Sequence, residues 1–296
     1  MDWDKLRIFH AVAEAGSFTH AGESLRLSQS AVSRQISALE NSLNVPLFQR
    51  HARGLRMTEQ GRLLYRTVHE MLGKLSSTQA IISESAKRPR GPLTVTTTVG
   101  LGSTWLTPRI STFIENYPEI SITLIVDDRE LDLSVGEADV AIRMTAPRQP
   151  ELIQRHLMTV HSHLYASTEY IQRHGAPQAP EELDSHRLIA YTEPMLPPFG
   201  NLNWLIDVGA KADHKRQAVF TVNSVYGIFR AVQTGLGIAS LPDYMVGPQS
   251  GLQRLLPKFE GPRLDAYFVY PKSLRQSKRI AVFRDFLVQQ ISSTPF

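Results

Sequence analysis

Residues 87–92, Lys-Arg-Pro-Arg-Gly-Pro, divide the chain into two textures. Two prolines and a glycine within six residues cannot continue a helix. Before this break the sequence is dense in helix signals, and Pro46 is the single proline. After it, β-branched runs alternate with helical patterns. A chain of 296 residues has room for about two domains, and the break is where they part. Charge follows the same division. Residues 1–92 hold 13 Lys/Arg against 8 Asp/Glu, whereas residues 93–296 hold 19 against 20. The positive excess of the whole chain therefore lies in its first third, which fits either an anionic partner or an unevenly charged solvated surface.

The first third reads as an ordered series of caps and stops. Asp2 or Asp4 caps a helix reaching about Ala15, with Leu6, Phe9 and Val12/Ala13 as its inward stripe, and Gly16 stops it. Ser17 or Thr19 caps a short helix through Leu25. Ser28 caps a third helix from Gln29 to Leu43, ended by Asn44 and Pro46. Residues 47–58 read as two short strands around a turn at Arg53-Gly54, and Thr58 caps a long helix to about Ser85. Two short helices joined by a tight turn, with a hairpin after the second, form a winged helix-turn-helix.

The third helix sorts into two faces. Val32, Ile36, Leu39 and Leu43 share one stripe, while Ser30, Ser33, Arg34, Ser37 and Asn41 fall on the rest. Small polar side chains let a helix approach the floor of a DNA major groove. There Gln29 can pair with adenine, and Arg34 with guanine or a phosphate. Arg50, Arg53 and Arg56 on the hairpin suit phosphates or a narrow minor groove. An ordinary three-helix surface with polar residues is the competing reading.

Longer stretches carry a family likeness. They are residues 15–22 (Ala-Gly-Ser-Phe-Thr-His-Ala-Gly), 25–36 (Leu-Arg-Leu-Ser-Gln-Ser-Ala-Val-Ser-Arg-Gln-Ile), Leu39-Glu40, 46–50 (Pro-Leu-Phe-Gln-Arg) and 55–61 (Leu-Arg-Met-Thr-Glu-Gln-Gly). Over about sixty residues with matching spacing, the chain resembles the N-terminal signature of LysR-type transcriptional regulators. Within that family, the opening residues 1–14 and the stretch 201–242 are similar to the LsrB/VtlR group. The resemblance implies that Gln29, Ser30, Ser33 and Arg34 face the groove and that Arg53 and its neighbours form the wing. His20 stands where the family pattern more often has Ala.

Along the long helix, Leu64, Val68, Met71, Leu75, Thr78 and Ile82 recur at spacings of four and three. A seam this narrow predicts pairing with another helix, most simply that of a second copy. Packing on the chain's own first helix is the alternative. The family resemblance implies a dimer through this helix, and further pairing to a tetramer.

After residue 92, strands are expected at 93–98, 120–126, 140–142, 162–166, 187–191, 237–241 and 266–270. Helices are expected at 104–117, near 131–136, at 225–235 and at 280–291. This alternation predicts an α/β domain with parallel pairing. Ser103 and Thr104 after a strand, and Ser224 before a helix, can bind an anion or simply act as caps, and Arg143 follows a strand end where ligands collect. The family resemblance implies a periplasmic-binding-protein-like effector domain of two subdomains, about 93–162 with 269–296 and about 163–268. Its cleft would be lined near Thr98, Gly100, Ser103, Thr145, Thr192 and Ser224. The expected organisation is thus a DNA-binding domain at 1–58, a linker helix at 59–86, a hinge at 87–92 and an effector domain at 93–296. Expected partners are promoter DNA, a second copy, RNA polymerase and an unidentified small-molecule effector. No cofactor or metal is expected.

Other function classes are weaker. There is no Gly-x-Ser-x-Gly elbow and no Walker loop, and Ser240 stands where Gly235-Leu236-Gly237 would need a third glycine. Asp127, Asp128, Glu130 and Asp132 read as a solvated turn. His156, His161 and His163 lack an identifiable partner set for zinc. Zero cysteine excludes disulfides and thiol chemistry within the chain. The acidic start Met1-Asp2-Trp3-Asp4 lacks the charge and apolar run of a secretion signal, and the uncharged stretch 91–108 is too polar to span a bilayer. A cytoplasmic protein is expected. A solute-binding protein would match only residues 93–296, and a regulator acting without a ligand stays open.

Overall fold

A computed structural model of the chain describes residues 2–51, 54–83, 88–147, 149–193, 201–210 and 216–292. All of Arg53, the side chains of Arg50 and Ile82, and the expected helix end near Ser85 lie outside the described residues. Two compact units result, Met1–Ile82 with Ser134–Glu137, and Ser83–Leu133 with Ala138–Phe296.

In the first unit, helices α1 (Trp3–Ala15), α2 (Phe18–Leu25) and α3 (Gln29–Leu43) precede a hairpin of β1 (Phe48–His51) and β2 (Gly54–Met57), and α4 (Glu59–Ser83) follows. The expected caps form. Asp2 accepts from the Asp4 N–H, Ser17 from the His20 N–H and Ser28 from the Ala31 N–H. Thr58 Oγ1 accepts from the Gly61 N–H at 2.9 Å and donates to the Pro46 carbonyl at 2.8 Å, which fixes where α4 begins. Leu6, Phe9, Val12, Val32, Ile36, Leu39 and Leu47 form one buried cluster. Burying each such side chain contributes roughly 1.5–3 kcal/mol.

The expected seam on α4 divides. Val68 is 1% exposed and belongs to the chain's own core, with Leu64 packed partly against it. Met71 and Leu75 stay 45% and 43% exposed, and so does Leu63 at 62%. Self-packing therefore accounts for Leu64 and Val68, contrary to their assignment to a helix pair. The exposed stripe lies along Leu63, Met71 and Leu75.

The second unit contains β3 (Gly91–Thr97), a continuous helical stretch, and β4 (Ile120–Val126). The stretch comprises α5 (Val99–Leu101), a π turn Gly102–Leu106, a 3-10 turn Thr107–Arg109 and α6 (Ile110–Asn116). Pro108 has no N–H to donate, so a regular helix is interrupted there. Next come β5 (Val140–Arg143), β6 (Leu152–Val160), β7 (Ser162–Ser167), α7 (Thr168–His174), β8 (Ile189–Tyr191), α8 (Trp204–Asp207) and β9 (Phe220–Val222). The chain continues through α9 (Val225–Gln233), β10 (Ala239–Pro242), β11 (Leu252–Leu255), β12 (Leu264–Pro271) and α10 (Lys278–Ser292).

Five strands pair in the order β4-β3-β5-β12-β6, and three in the order β10-β7-β11. Pairing is parallel in β4-β3-β5 and in β8-β9, as expected, but antiparallel for β12, β6 and the whole three-stranded sheet. Because β12 pairs with β6 from Leu264 onward, the chain returns to the first sheet at 264, not 269. The helix expected near 131–136 is only a 3-10 turn, Leu133–Val135. The guanidinium of Arg143 donates to the Leu131 carbonyl just before this turn.

Candidate nucleic-acid interface and ligand cleft

The turn between α2 and α3 determines how α3 is presented. Arg26 adopts a left-handed backbone, φ 55°, and the Leu27 N–H donates to the Gly22 carbonyl at 2.8 Å. Position 22 tolerates no side chain here, because a Cβ would sit 2.7 Å from the Leu27 carbonyl oxygen. Ser28 then caps α3 with Oγ 3.2 Å from the Ala31 nitrogen, and the Ser30 hydroxyl lies 3.1 Å from that of Ser28. Past this cap Gln29, Ser30, Arg34 and Ser37 are exposed and Ser33 is half-buried, while Val32, Ile36 and Leu39 are buried behind them. The expected DNA-facing residues of this helix thus share one solvent-facing surface.

The wing is tied to the same helix. Glu40 Oε1 accepts from the Leu47 N–H at 2.7 Å and the Phe48 N–H at 3.1 Å. The hairpin register pairs Gln49 with Arg56, and both are exposed. Glu40 is a positioning residue that the sequence reading did not identify, although its place one turn before the α3 terminus was available as a signal.

In the second unit the expected effector residues separate. Thr98 and Gly100 line a cavity with Asp128, Met144, Val225 and Tyr244. Thr98 and Arg143 line an adjoining one with Thr97 and Asp127–Leu131. Each measures about 20 Å³, roughly room for one water. Ser103, Thr104, Thr145, Thr192 and Ser224 line neither. Thr104 donates to the Gly100 carbonyl and Thr145 to Glu130, and Ser224 caps α9 through the Gly227 N–H. For these residues the capping or local-bond role is the one the geometry shows.

Asp128 departs from the solvated turn expected for it. Its carboxylate accepts from the Val99 N–H at 3.0 Å and so occupies the N-terminus of α5, where Thr98 makes no side-chain cap. Burial pushes its carboxyl above the usual range, and the neighbouring Asp127 charge adds to this. Burial, then the charge of Asp128, pushes the Tyr191 and Tyr244 hydroxyls up. Arg143 is 6% exposed. Its Nη1 lies 3.8 Å from Glu130, yet among the described residues Nε and Nη1 have no hydrogen-bond partner, and neither has the buried Thr97 hydroxyl. Buried donors left in this state are costly, about 1–3 kcal/mol each.

The histidines considered as zinc ligands each meet one carboxylate. His156 is 3.1 Å from Asp265, His163 is 2.8 Å from Asp243, and His161 contacts Glu260.

Residues 3–62 match the family described as bacterial regulatory helix-turn-helix protein, lysR family, and residues 86–292 match the LysR substrate binding domain. An HTH-type transcriptional regulator of Xanthomonas campestris is 31% identical over 98% of this chain and 86% of its own. The HTH-type transcriptional regulator CrgA of Neisseria meningitidis is 30% identical over 98% of this chain and 97% of its own. The full-length structure of the Vibrio cholerae virulence activator AphB superposes with a TM-score of 0.60 at 28% identity, covering 98% of this chain and 99% of that one.

Proposed function

This chain belongs to the LysR family of DNA-binding transcriptional regulators, and on that premise we propose how its own residues do the work. Gln29, Ser30, Ser33, Arg34 and Ser37 read bases and phosphates in a promoter major groove, and the wing with Arg50, Arg53 and Arg56 holds the flanking backbone. The observation that carries this is the exposed polar surface of α3, held by the Ser28 cap and backed by Val32, Ile36 and Leu39.

Two copies pair along the exposed Met71 and Leu75 stripe of α4, which places two readers on two half-sites. RNA polymerase is the further protein partner, and the protein works in the cytoplasm. Among the described residues, no helix is long and apolar enough to cross a membrane.

The effector is a small molecule bearing an acceptor oxygen that satisfies the Nε and Nη1 donors of Arg143. Cavities of about 20 Å³ admit it only when the two sheets of the second unit separate. Its binding changes how paired readers engage the DNA.

The test is Arg34→Ala in the full chain, followed by mobility shift on a cognate promoter and by sizing. Losing one bidentate base contact costs roughly 1–3 kcal/mol, about five- to 150-fold in specific affinity, with the oligomer unchanged. Unchanged specific affinity overturns the assignment of α3.

A further inference from the structure

We propose that His10, Glu14 and His69 form a binding site for a divalent first-row transition-metal ion of the zinc class, clamping α1 to α4. His10 and Glu14 are four residues apart on α1 and project from one face of it. Tyr65 and His69 are likewise four apart on α4. The two pairs meet. His10 Nε2 lies 2.9 Å from His69 Nδ1, the Tyr65 hydroxyl donates to Glu14, and the same hydroxyl is 3.4 Å from His69 Nδ1. The His10 and Tyr65 rings stack with centroids 5.2 Å apart, which holds the imidazole edge-on to its partners.

One ligand atom from each of His10, Glu14 and His69 lies within 4.8 Å of the other two. Among the described residues this is the one group of three or more such side chains so placed. Zinc binds imidazole nitrogen and carboxylate oxygen at about 2.0–2.2 Å in a tetrahedron, which sets ligand atoms roughly 3.4 Å apart. Small rotamer adjustments therefore close the site. Two imidazoles with one carboxylate favour Zn²⁺ and its first-row neighbours over Ca²⁺ or Mg²⁺, which select oxygen. Glu14 is exposed and both histidines are half-buried, so an ion can enter from solvent. The fourth position falls to water or to the Tyr65 hydroxyl.

The clamp has a consequence for the reader. Its α1 partner sits on the helix that buries Leu6, Phe9 and Val12 in the core beneath α3. Its α4 partner, His69, lies two residues before Met71, where the exposed stripe continues. Occupancy fixes the linker helix to the body of the DNA-binding unit. The metal site stands on its own geometry, and only this consequence rests on the proposed DNA-reading function.

The experiment titrates metal-stripped full-length protein with Co²⁺ and then Zn²⁺. The expected result is one equivalent of Co²⁺ with the visible bands of a tetrahedral ion, displaced by Zn²⁺, together with a rise in Tm. His69→Gln and Glu14→Gln weaken binding at least about tenfold, the lower limit seen even for outer-shell losses, whereas His156→Gln leaves it unchanged. Glu14 is exposed, so its variant keeps the test valid if the histidine variant fails to fold. Absence of tetrahedral bands, or binding undiminished in both variants, overturns the site and leaves the cluster as a hydrogen-bonded network. Mobility shift with and without Zn²⁺ then reads the clamp. Wild-type DNA affinity changes with Zn²⁺ and that of Glu14→Gln does not. An unresponsive wild type with the Co²⁺ bands intact overturns the coupling and leaves the metal site standing. Loss of all specific DNA binding, with or without Zn²⁺, would instead count against the DNA-reading function.

Discussion

Two helix N-termini in this molecule are treated in opposite ways. At α3 the side chain of Ser28 satisfies one backbone donor, and Gln29 and Ser30 beyond it face solvent. At α5 the chain supplies its own carboxylate, Asp128, to the Val99 N–H, and the adjoining cavity is narrow and half-buried. Both ends carry the partial positive charge that favours anions. The surface end leaves it open to solvent, whereas the interior end is already answered from within. Positive charge for the ligand proposed in the second unit must then come from elsewhere, and in that proposal the Nε and Nη1 of Arg143 supply it.

The comparison is broken most directly at the turn that holds α3 open. Gly22→Ala puts a Cβ 2.7 Å from the Leu27 carbonyl oxygen, a backbone atom that cannot swing aside. Overpacking of this kind costs about 1–3 kcal/mol. Thermal unfolding of the full chain is expected to show the first transition lowered, and an unshifted transition would mean that the turn relaxes freely.

Ser28→Ala removes only the cap. The expected loss is about 1 kcal/mol, read by denaturant unfolding, with a parallel loss of DNA affinity because the first turn of α3 frays. A variant that loses stability but keeps full DNA affinity would show that the cap is not part of the reading surface.

Asp128→Asn makes the smallest change and sharpens the interior side. Asparagine still accepts from Val99, and Asn and Asp rank alike as caps, so the hydrogen bond itself shifts by roughly a few tenths of a kcal/mol. The charge adds a pH dependence. The folded carboxyl titrates above its unfolded value, so the folded state binds the proton more tightly. The stability it contributes is present at pH below the unfolded range, about 4. It is lost as pH rises through the folded value. The variant should match wild type at acid pH and exceed it in Tm at neutral pH. A variant that is less stable at neutral pH would show that the ionised carboxylate is needed at the α5 end.

The two units also differ in how far their sequence foretells them. Asp2, Ser17 and Ser28 lie next to apolar stripes and are followed by Gly16, Arg26 and Asn44 in left-handed backbone. Start and stop are both local there, so α1 to α3 were readable in place and extent, with only the choice between Asp2 and Asp4, and between Ser17 and Thr19, left to the structure. Strand β6 was not foreseen. Gln154, Arg155 and His156 at its centre are exposed on the sheet edge, and an edge strand with polar residues lacks the apolar run that betrays a buried one. Asp128 was misjudged for a related reason. Its partner Val99 is 29 residues earlier, and no local pattern announces a contact made by two crossovers meeting. The seam on α4 shows the limit of periodicity. Leu64, Val68, Met71 and Leu75 share one spacing, but the first two face the chain's own core and the last two do not.

The Glu40 carboxylate ties the root of the wing, Leu47 and Phe48, to the helix proposed to read the groove. Two backbone N–H groups on one carboxylate set the spacing between helix and wing root. If α3 reads DNA as proposed, the duplex has to match that spacing, and sequences that bend or narrow cheaply at the right distance are then preferred even at base pairs no side chain touches.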